Sequence, residues 1–319
     1  MNDPQPNGPI QVSVPATTAN LGPGFDSMGL ALDLWNTFTL TFGHPHAGIA
    51  VHIEGEGEGI LPADESHLTV HTLLDRLAQH GAEAPDGMRL TCRNEIPCAS
   101  GLGSSSSAVL AGLILADVIA LRRQRQGCVH PHELDMDAVL SRAVEIEGHG
   151  DNVTPAVLGG LQVVYTHGSE FRNRAIPIPP TRVVVCVPAY NYLTSEARAA
   201  LPKMISHEDA VFNIGRAMLV IEALRNKDDF LLADALQDRL HERYRIPQIP
   251  GAEEARNAAF ITGAIAVCLS GAGPGMLAFA RRGHDAIGEA MVNAFAGHDI
   301  SARYWVLPAC GGGTRIQIG

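Results

Sequence analysis

The chain has 319 residues, 46% of them hydrophobic and 18% charged, an ordinary globular composition with length enough for two domains. Its 23 Lys and Arg stand against 34 Asp and Glu, a net charge of −11, which argues against a nucleic-acid or anionic-membrane partner. Lys203 and Lys227 are the only lysines, no glycine precedes a lysine, and neither Gly101-Leu-Gly103 nor Gly271-Ala-Gly273 continues to a third fingerprint glycine, so a Walker loop and a GxGxxG turn are both excluded.

Alternation over residues 10–16 predicts an opening strand, and the β-branched and aromatic runs 37–42 and 49–53 predict two more. A glycine-rich turn follows at Gly55-Glu-Gly57-Glu-Gly59. Leucines at 68, 73, 74 and 77 predict an amphipathic helix over 67–80. A strand over 88–94 ends before Pro97, and the most apolar helix of the chain runs from about 105 to 123. A helix over 136–147 and a strand over 159–165 close the first half, and Ile176-Pro-Ile-Pro-Pro180 reads as a passage between domains. Beyond it come a strand over 183–187, helical patterns at 194–201, 207–226, 228–241 and 252–262, strands at 264–269 and 276–280, a helix over 284–296 and a strand at 303–306. Strands grouped with helices in this way imply two-layered α+β domains.

Six cysteines (Cys92, Cys98, Cys128, Cys186, Cys268 and Cys310) form no CxxC pair, and MNDPQPNGPI has neither the basic nor the apolar part of a secretory leader. The longest apolar stretch, 108–121, is interrupted by Asp117 and falls short of the ~20 residues that span a bilayer. A reduced, cytoplasmic chain is the expectation. Among the fourteen histidines, His67/His71 and His130/His132 have suggestive spacing, but no carboxylate or cysteine completes a metal set.

Four segments carry chemistry. Pro97-Cys98-Ala99-Ser100-Gly101-Leu102-Gly103-Ser104-Ser105-Ser106-Ser107 runs into the apolar helix. Its glycines allow close backbone approach, the helix start offers free N–H groups and about half a unit of positive charge, and its hydroxyls suit phosphate oxygens or a hard cation. A flexible loop before a serine-capped helix would account for the same residues without a ligand. Pro15-Ala-Thr-Thr-Ala-Asn20-Leu-Gly-Pro-Gly24-Phe-Asp26 puts Asn20 and Asp26 on a turn after the first strand, where such residues are common anyway. Glu145-Ile-Glu147-Gly-His149-Gly-Asp151-Asn152 is a dense polar cluster at a helix end, and Ser270-Gly-Ala-Gly-Pro-Gly275 is a glycine-rich link between apolar runs.

Together these segments resemble the three motifs of the GHMP kinases, in their usual order. Within that superfamily, residues 147–156, Thr194-Ser-Glu-Ala-Arg198 and His241-Glu-Arg-Tyr-Arg245 are similar to segments of the homoserine kinases. The resemblance, spanning residues 13 to about 280, implies an α+β GHMP kinase fold: a ribosomal protein S5 domain 2-like N-terminal domain over 1–170 that binds ATP, and a ferredoxin-like C-terminal domain over 171–319. It implies ATP-dependent phosphorylation of L-homoserine, with residues 97–107 around the ATP phosphates and Mg²⁺ held by Ser105 and by Glu147 or Glu145. It sets Arg198 and Arg245 on the substrate carboxylate, Asp26 on its ammonium, Asn20, His149 and Asn152 around its hydroxyl, and Thr194 as a further contact. Mevalonate kinase has an aspartate where this chain places Asn152 and a lysine that this chain lacks. Direct attack by the hydroxyl is therefore expected, with Asp151 the alternative base if its side chain turns inward. Many relatives dimerise, so the resemblance also allows a homodimer.

Overall fold

Apolar residues at alternate positions of β1 (Ile10–Ala19), β2 (Met28–Thr41), β3 (Ile49–Gly55) and, after α1 (Leu68–Gln79), β4 (Met88–Asn94) turn Ile10, Val12, Val14, Phe38, Leu40, Met88 and Leu90 to one face of a sheet. That face is covered by α1, α2 (Ser104–Arg125), α3 (Met136–Glu147) and the short α4 (Val153–Leu158). The computed structural model describes residues 8–43, 48–168 and 170–319. Strand β3 pairs parallel with β4, and every other pairing in the sheet is antiparallel.

Helix α2 is long and apolar enough to cross a membrane by composition, yet 72% of its most apolar window is buried inside this protein as the centre of the first core. Its buried acid, Asp117, is bonded by Arg76 of α1 (2.8 and 3.2 Å) and by His80 just past the end of α1 (2.7 Å).

A hairpin of β5 (Leu161–His167) and β6 (Glu170–Ile176) extends the first sheet beside β2. After prolines 177, 179 and 180, β7 (Arg182–Pro188) opens a second sheet. The chain then runs through α5 (Thr194–Ala199), α6 (His207–Asn226), α7 (Asp229–Ala235), α8 (Glu242–Arg245) and α9 (Ala252–Thr262). The hairpin β8 (Ala266–Leu269) and β9 (Met276–Phe279) follows, then α10 (His284–Ala296) and β10 (Ala302–Pro308). The sheet order β10-β7-β9-β8, antiparallel throughout, is ferredoxin-like. One apolar cluster joins the two sheets: Leu21, Met28, Leu30 and Leu32 of the first half pack with Val183, Val185, Leu224 and Leu277 of the second.

The division differs from the expected 170/171 boundary. Strand β6 still pairs with β5, and the last strand, β11 (Arg315–Ile318), returns to pair with β1. The sheets part at the proline-rich passage, where missing N–H groups cannot extend a ladder.

Candidate active site

Between the two halves lies a pocket that gathers side chains from β1's exit, the start of α2, the end of α3, α5, α8 and the β8–β9 turn. Its first wall is the phosphate-loop segment. Gly101 (φ 77°) and Gly103 (φ 74°) occupy left-handed backbone, and a Cβ on Gly101 would stand 2.0 Å from the Ser270 carbonyl oxygen. The loop is stitched from both sides: Thr17 N donates to Leu102 O (3.0 Å), Gly275 N to Ser100 O (3.1 Å), and Ser270 Oγ to Gly101 O (2.8 Å). Gly103 caps α2 without a side-chain bond, and the N–H groups of Ser104, Ser105 and Ser106 find no acceptor among the described residues. A 22-residue helix thus points uncapped donors and its dipole into the pocket.

Of the loop residues expected around ATP, Ala99, Ser100, Gly101, Gly103, Ser104, Ser105 and Ser106 line the pocket. The other four support it. Pro97 O accepts from Ser100 Oγ (2.7 Å), and Leu102 is buried in the core that joins the sheets. Ser107 Oγ donates to Ser104 O and accepts from Asn36, while Cys98 is exposed beside the loop.

Glu147, at the last turn of α3, reaches across to the start of α2. Its carboxylate accepts from Ser105 Oγ (2.8 Å) and Ser106 Oγ (2.9 Å). Glu145, two residues back, points outward and pairs with Arg142 (3.0 Å). Hydroxyl and carboxylate oxygens beside a phosphate cradle are the donors a hard divalent cation takes, so Ser105 and Glu147 fit Mg²⁺ and Glu145 does not.

The opposite wall carries the polar residues expected around an amino acid. Asn20, Leu21 and Asp26 all have positive φ (71°, 47° and 53°), so this turn is held in backbone that side chains disfavour. Asn20 holds it: its Nδ2 donates to Gly271 O (2.7 Å) and its Oδ1 accepts from Asp26 N (2.9 Å). Asp26 in turn grips Arg198 of α5 in a two-pronged pair at 3.0 and 3.1 Å. That hydrogen bond, outweighing burial, holds the Arg198 guanidinium more firmly protonated than usual.

Arg245 is different. It is 2% exposed, and its guanidinium meets Ala197 O (3.2 Å), Gly271 O (3.4 Å) and His241 Nδ1 (3.3 Å) and lies over the Phe25 ring (5.2 Å to the centroid), with no carboxylate in contact among the described residues. Burial, followed by the like charge of Arg198, lowers its proton affinity, with Asp26 opposing. Such a cation calls for an anion.

His149 Nδ1 and Asp151 Oδ1 lie 2.8 Å apart, and Asp151 is buried with its side chain turned inward. Burial pulls the imidazole down, but the Asp151 hydrogen bond and charge, with Glu147 adding, raise it above its usual value. Asn152 Oδ1 accepts from Thr17 Oγ1 (2.9 Å), which leaves its N–H₂ as the end free to donate. Thr194, exposed at the start of α5, completes the lining.

Sequence reasoning gave no role to Thr17, Asp238 or His241. Asp238 accepts from Asn213 Nδ2 and from the backbone N–H groups of Leu240, His241 and Glu242, fixing the turn that presents Arg245. His241, fully buried, bonds Gly22 O through Nε2 (2.9 Å) and Arg245 through Nδ1, tying that turn to the first domain. Thr17 and His241 both sit inside the motifs quoted above, which is the one signal that could have marked them.

Residues 68–160 match the GHMP kinases N terminal domain and residues 220–297 match GHMP kinases C terminal. The chain is 38% identical over 311 residues to a homoserine kinase of Aquifex aeolicus, covering 96% of this chain and 99% of that one. It is 40% identical over 295 residues to a homoserine kinase of Streptomyces coelicolor, covering 92% and 90%. A crystal structure of homoserine kinase from Cytophaga hutchinsonii superposes with a TM-score of 0.80 at 27% identity, over 97% of this chain and 98% of that one. A mevalonate kinase of L. major, 17% identical with a TM-score of 0.69 over 93% and 94% of the two chains, shares the fold. On this likeness the chain belongs to the homoserine kinase family of the GHMP kinases.

Proposed function

We propose that this chain transfers the γ-phosphoryl group of ATP to the side-chain hydroxyl of L-homoserine, forming O-phospho-L-homoserine, a step toward threonine. The observation that carries this reading is Arg245, a buried cation without a carboxylate, in the same pocket as an uncapped helix start. One feature recognises an anionic small molecule and the other a phosphate chain.

In this reading the N–H groups of Ser104 to Ser106 hold the phosphates, and Arg198 and Arg245 fork onto the substrate carboxylate. Asp26 takes the α-ammonium, Thr194 adds a contact, and Asn20 keeps the Asp26 turn in place. Ser105 and Glu147 would hold Mg²⁺, which when bound neutralises charge on the phosphates. Asn152 donates to the attacking hydroxyl from an amide oriented by Thr17, and the His149–Asp151 pair sets the charge around it. The Asn152 amide is no base and Asp151 is already engaged by His149, which supports direct attack in a loose transition state where positioning and charge carry the catalysis. The six cysteines are unbridged, in keeping with a cytoplasmic setting, and an exposed apolar stripe of Val211, Ile214 and Met218 on α6 is a surface that a homodimer could bury.

The test is ADP release with Mg·ATP across L-homoserine, D-homoserine, L-threonine, mevalonate, shikimate and galactose. Strong turnover with L-homoserine alone is the expected result. Turnover with a ligand lacking a carboxylate would overturn the two-arginine pocket.

A further inference from the structure

Two residues expected to receive the two opposite charges of one substrate are bonded to each other. Asp26 enters from the strained turn after β1 and Arg198 from α5, 172 residues away, and their pair is bidentate. Arg245, the second arginine of the pocket, has no such partner. The pocket therefore has one arginine paired with a carboxylate and one with none in contact among the described residues.

We infer that the Asp26–Arg198 pair is a charge latch that selects for adjacent opposite charges on the ligand; the inference rests on the proposed amino-acid pocket and adds its selectivity. A zwitterion inserts into the latch and exchanges one internal pair for two external ones, its ammonium on Asp26 and its carboxylate on Arg198 and Arg245. A hydroxy acid without the ammonium reaches Arg245 but finds Arg198 occupied; opening the pair would leave the Asp26 carboxylate with no cation in contact, since Arg245 acts on it only through space. An amino alcohol without the carboxylate meets the mirror-image obstacle. The latch thus rejects singly charged analogues by competition from within the protein, a form of specificity built on unfavourable alternatives.

The two halves of the latch can be opened separately. In Asp26→Asn the new residue tolerates the left-handed backbone, and the bond that fixes the turn runs from Asn20 to the backbone N–H of residue 26. In Arg198→Gln the side chain lost is exposed. Both variants should therefore fold, which circular dichroism checks. Dissociation constants for L-homoserine, 4-hydroxybutyrate and 3-aminopropan-1-ol are read by ligand-observed NMR titration on the full chain.

Asp26→Asn should weaken L-homoserine at least about tenfold yet tighten 4-hydroxybutyrate by about three- to fivefold, the range of a half-exposed ion pair. Arg198→Gln should weaken L-homoserine and tighten 3-aminopropan-1-ol. If both analogues bind their matched variants no better than wild type, the latch is refuted while the amino-acid pocket stands. If wild type binds L-homoserine no better than it binds the two analogues, the pocket assignment falls and the latch falls with it.

Discussion

Arg245→Met separates what the fold needs from what the substrate needs. Arg245 is the largest fully buried side chain among the described residues, and methionine keeps most of its length while removing the charge. The variant forfeits hydrogen bonds at 3.2, 3.3 and 3.4 Å from a charged donor, each worth about 1.5 kcal/mol at such lengths, and the contact with the Phe25 ring. Against this it removes a buried cation whose desolvation costs several kcal/mol and which no carboxylate compensates. The two effects nearly cancel, so folding stability should change by no more than about 2 kcal/mol, a Tm shift of a few degrees. Binding has no such compensation. Losing one desolvated arginine–carboxylate contact costs about 2–5 kcal/mol, which at about 1.4 kcal/mol per decade is a rise in KM for L-homoserine from about 30-fold to a few thousandfold. Initial rates with each substrate varied against saturating levels of the other, beside calorimetric melting, measure both effects. A comparable rise in KM for ATP, or a large loss of Tm with an unchanged KM for L-homoserine, would refute the assignment.

Gly101→Ala should raise KM for ATP more than about tenfold and lower Tm, because its Cβ would stand 2.0 Å from Ser270 O in left-handed backbone; initial rates and melting check it. The raised His149 value means that its pairing with Asp151 stabilises the fold fully below about pH 6.5 and that this contribution is lost as pH climbs through the raised value. Wild type should therefore lose more Tm than His149→Gln between pH 6 and about pH 9; equal slopes would remove the pair from the account. Direct attack predicts that Asp151→Asn lowers the rate without removing a limb of the pH–rate profile, and disappearance of an acidic limb would make Asp151 the base.

Much of the fold was legible because periodicity and burial agree along it. The helices expected over 136–147, 207–226, 252–262 and 284–296 and the strand over 88–94 form with those bounds. The first part of β2, Met28 to Leu32, escaped because it is buried on both faces and so shows no alternation. Strands β6 and β11 escaped for the opposite reason, being short and largely solvent-facing. The helix expected over 228–241 stops at Ala235, and the chain turns where the Asp238 carboxylate collects three backbone N–H groups. At the site, the side chains that residue type and motif order single out do share one pocket: Ser104, Ser105, Ser106, Glu147, Asp26, Arg198 and Arg245 all line it. Pairing was illegible: nothing local says that Asp26 meets Arg198 across 172 residues, or that Glu147 rather than Glu145 faces Ser105. Those outcomes depend on how α3, α5 and the first turn are docked, a property of the whole chain.

The return of β11 to β1 has a bearing on how this protein is made. During synthesis the N-terminal sheet can assemble through β6, but the outer edge of β1 has no partner until residues 315–318 leave the ribosome. An unpaired edge is a template for association with other chains, and here it persists while the entire second half is translated. Chains ending before β11 would carry it permanently. They should collect in aggregates, read by light scattering beside the full chain, even though every residue of the candidate site precedes the cut.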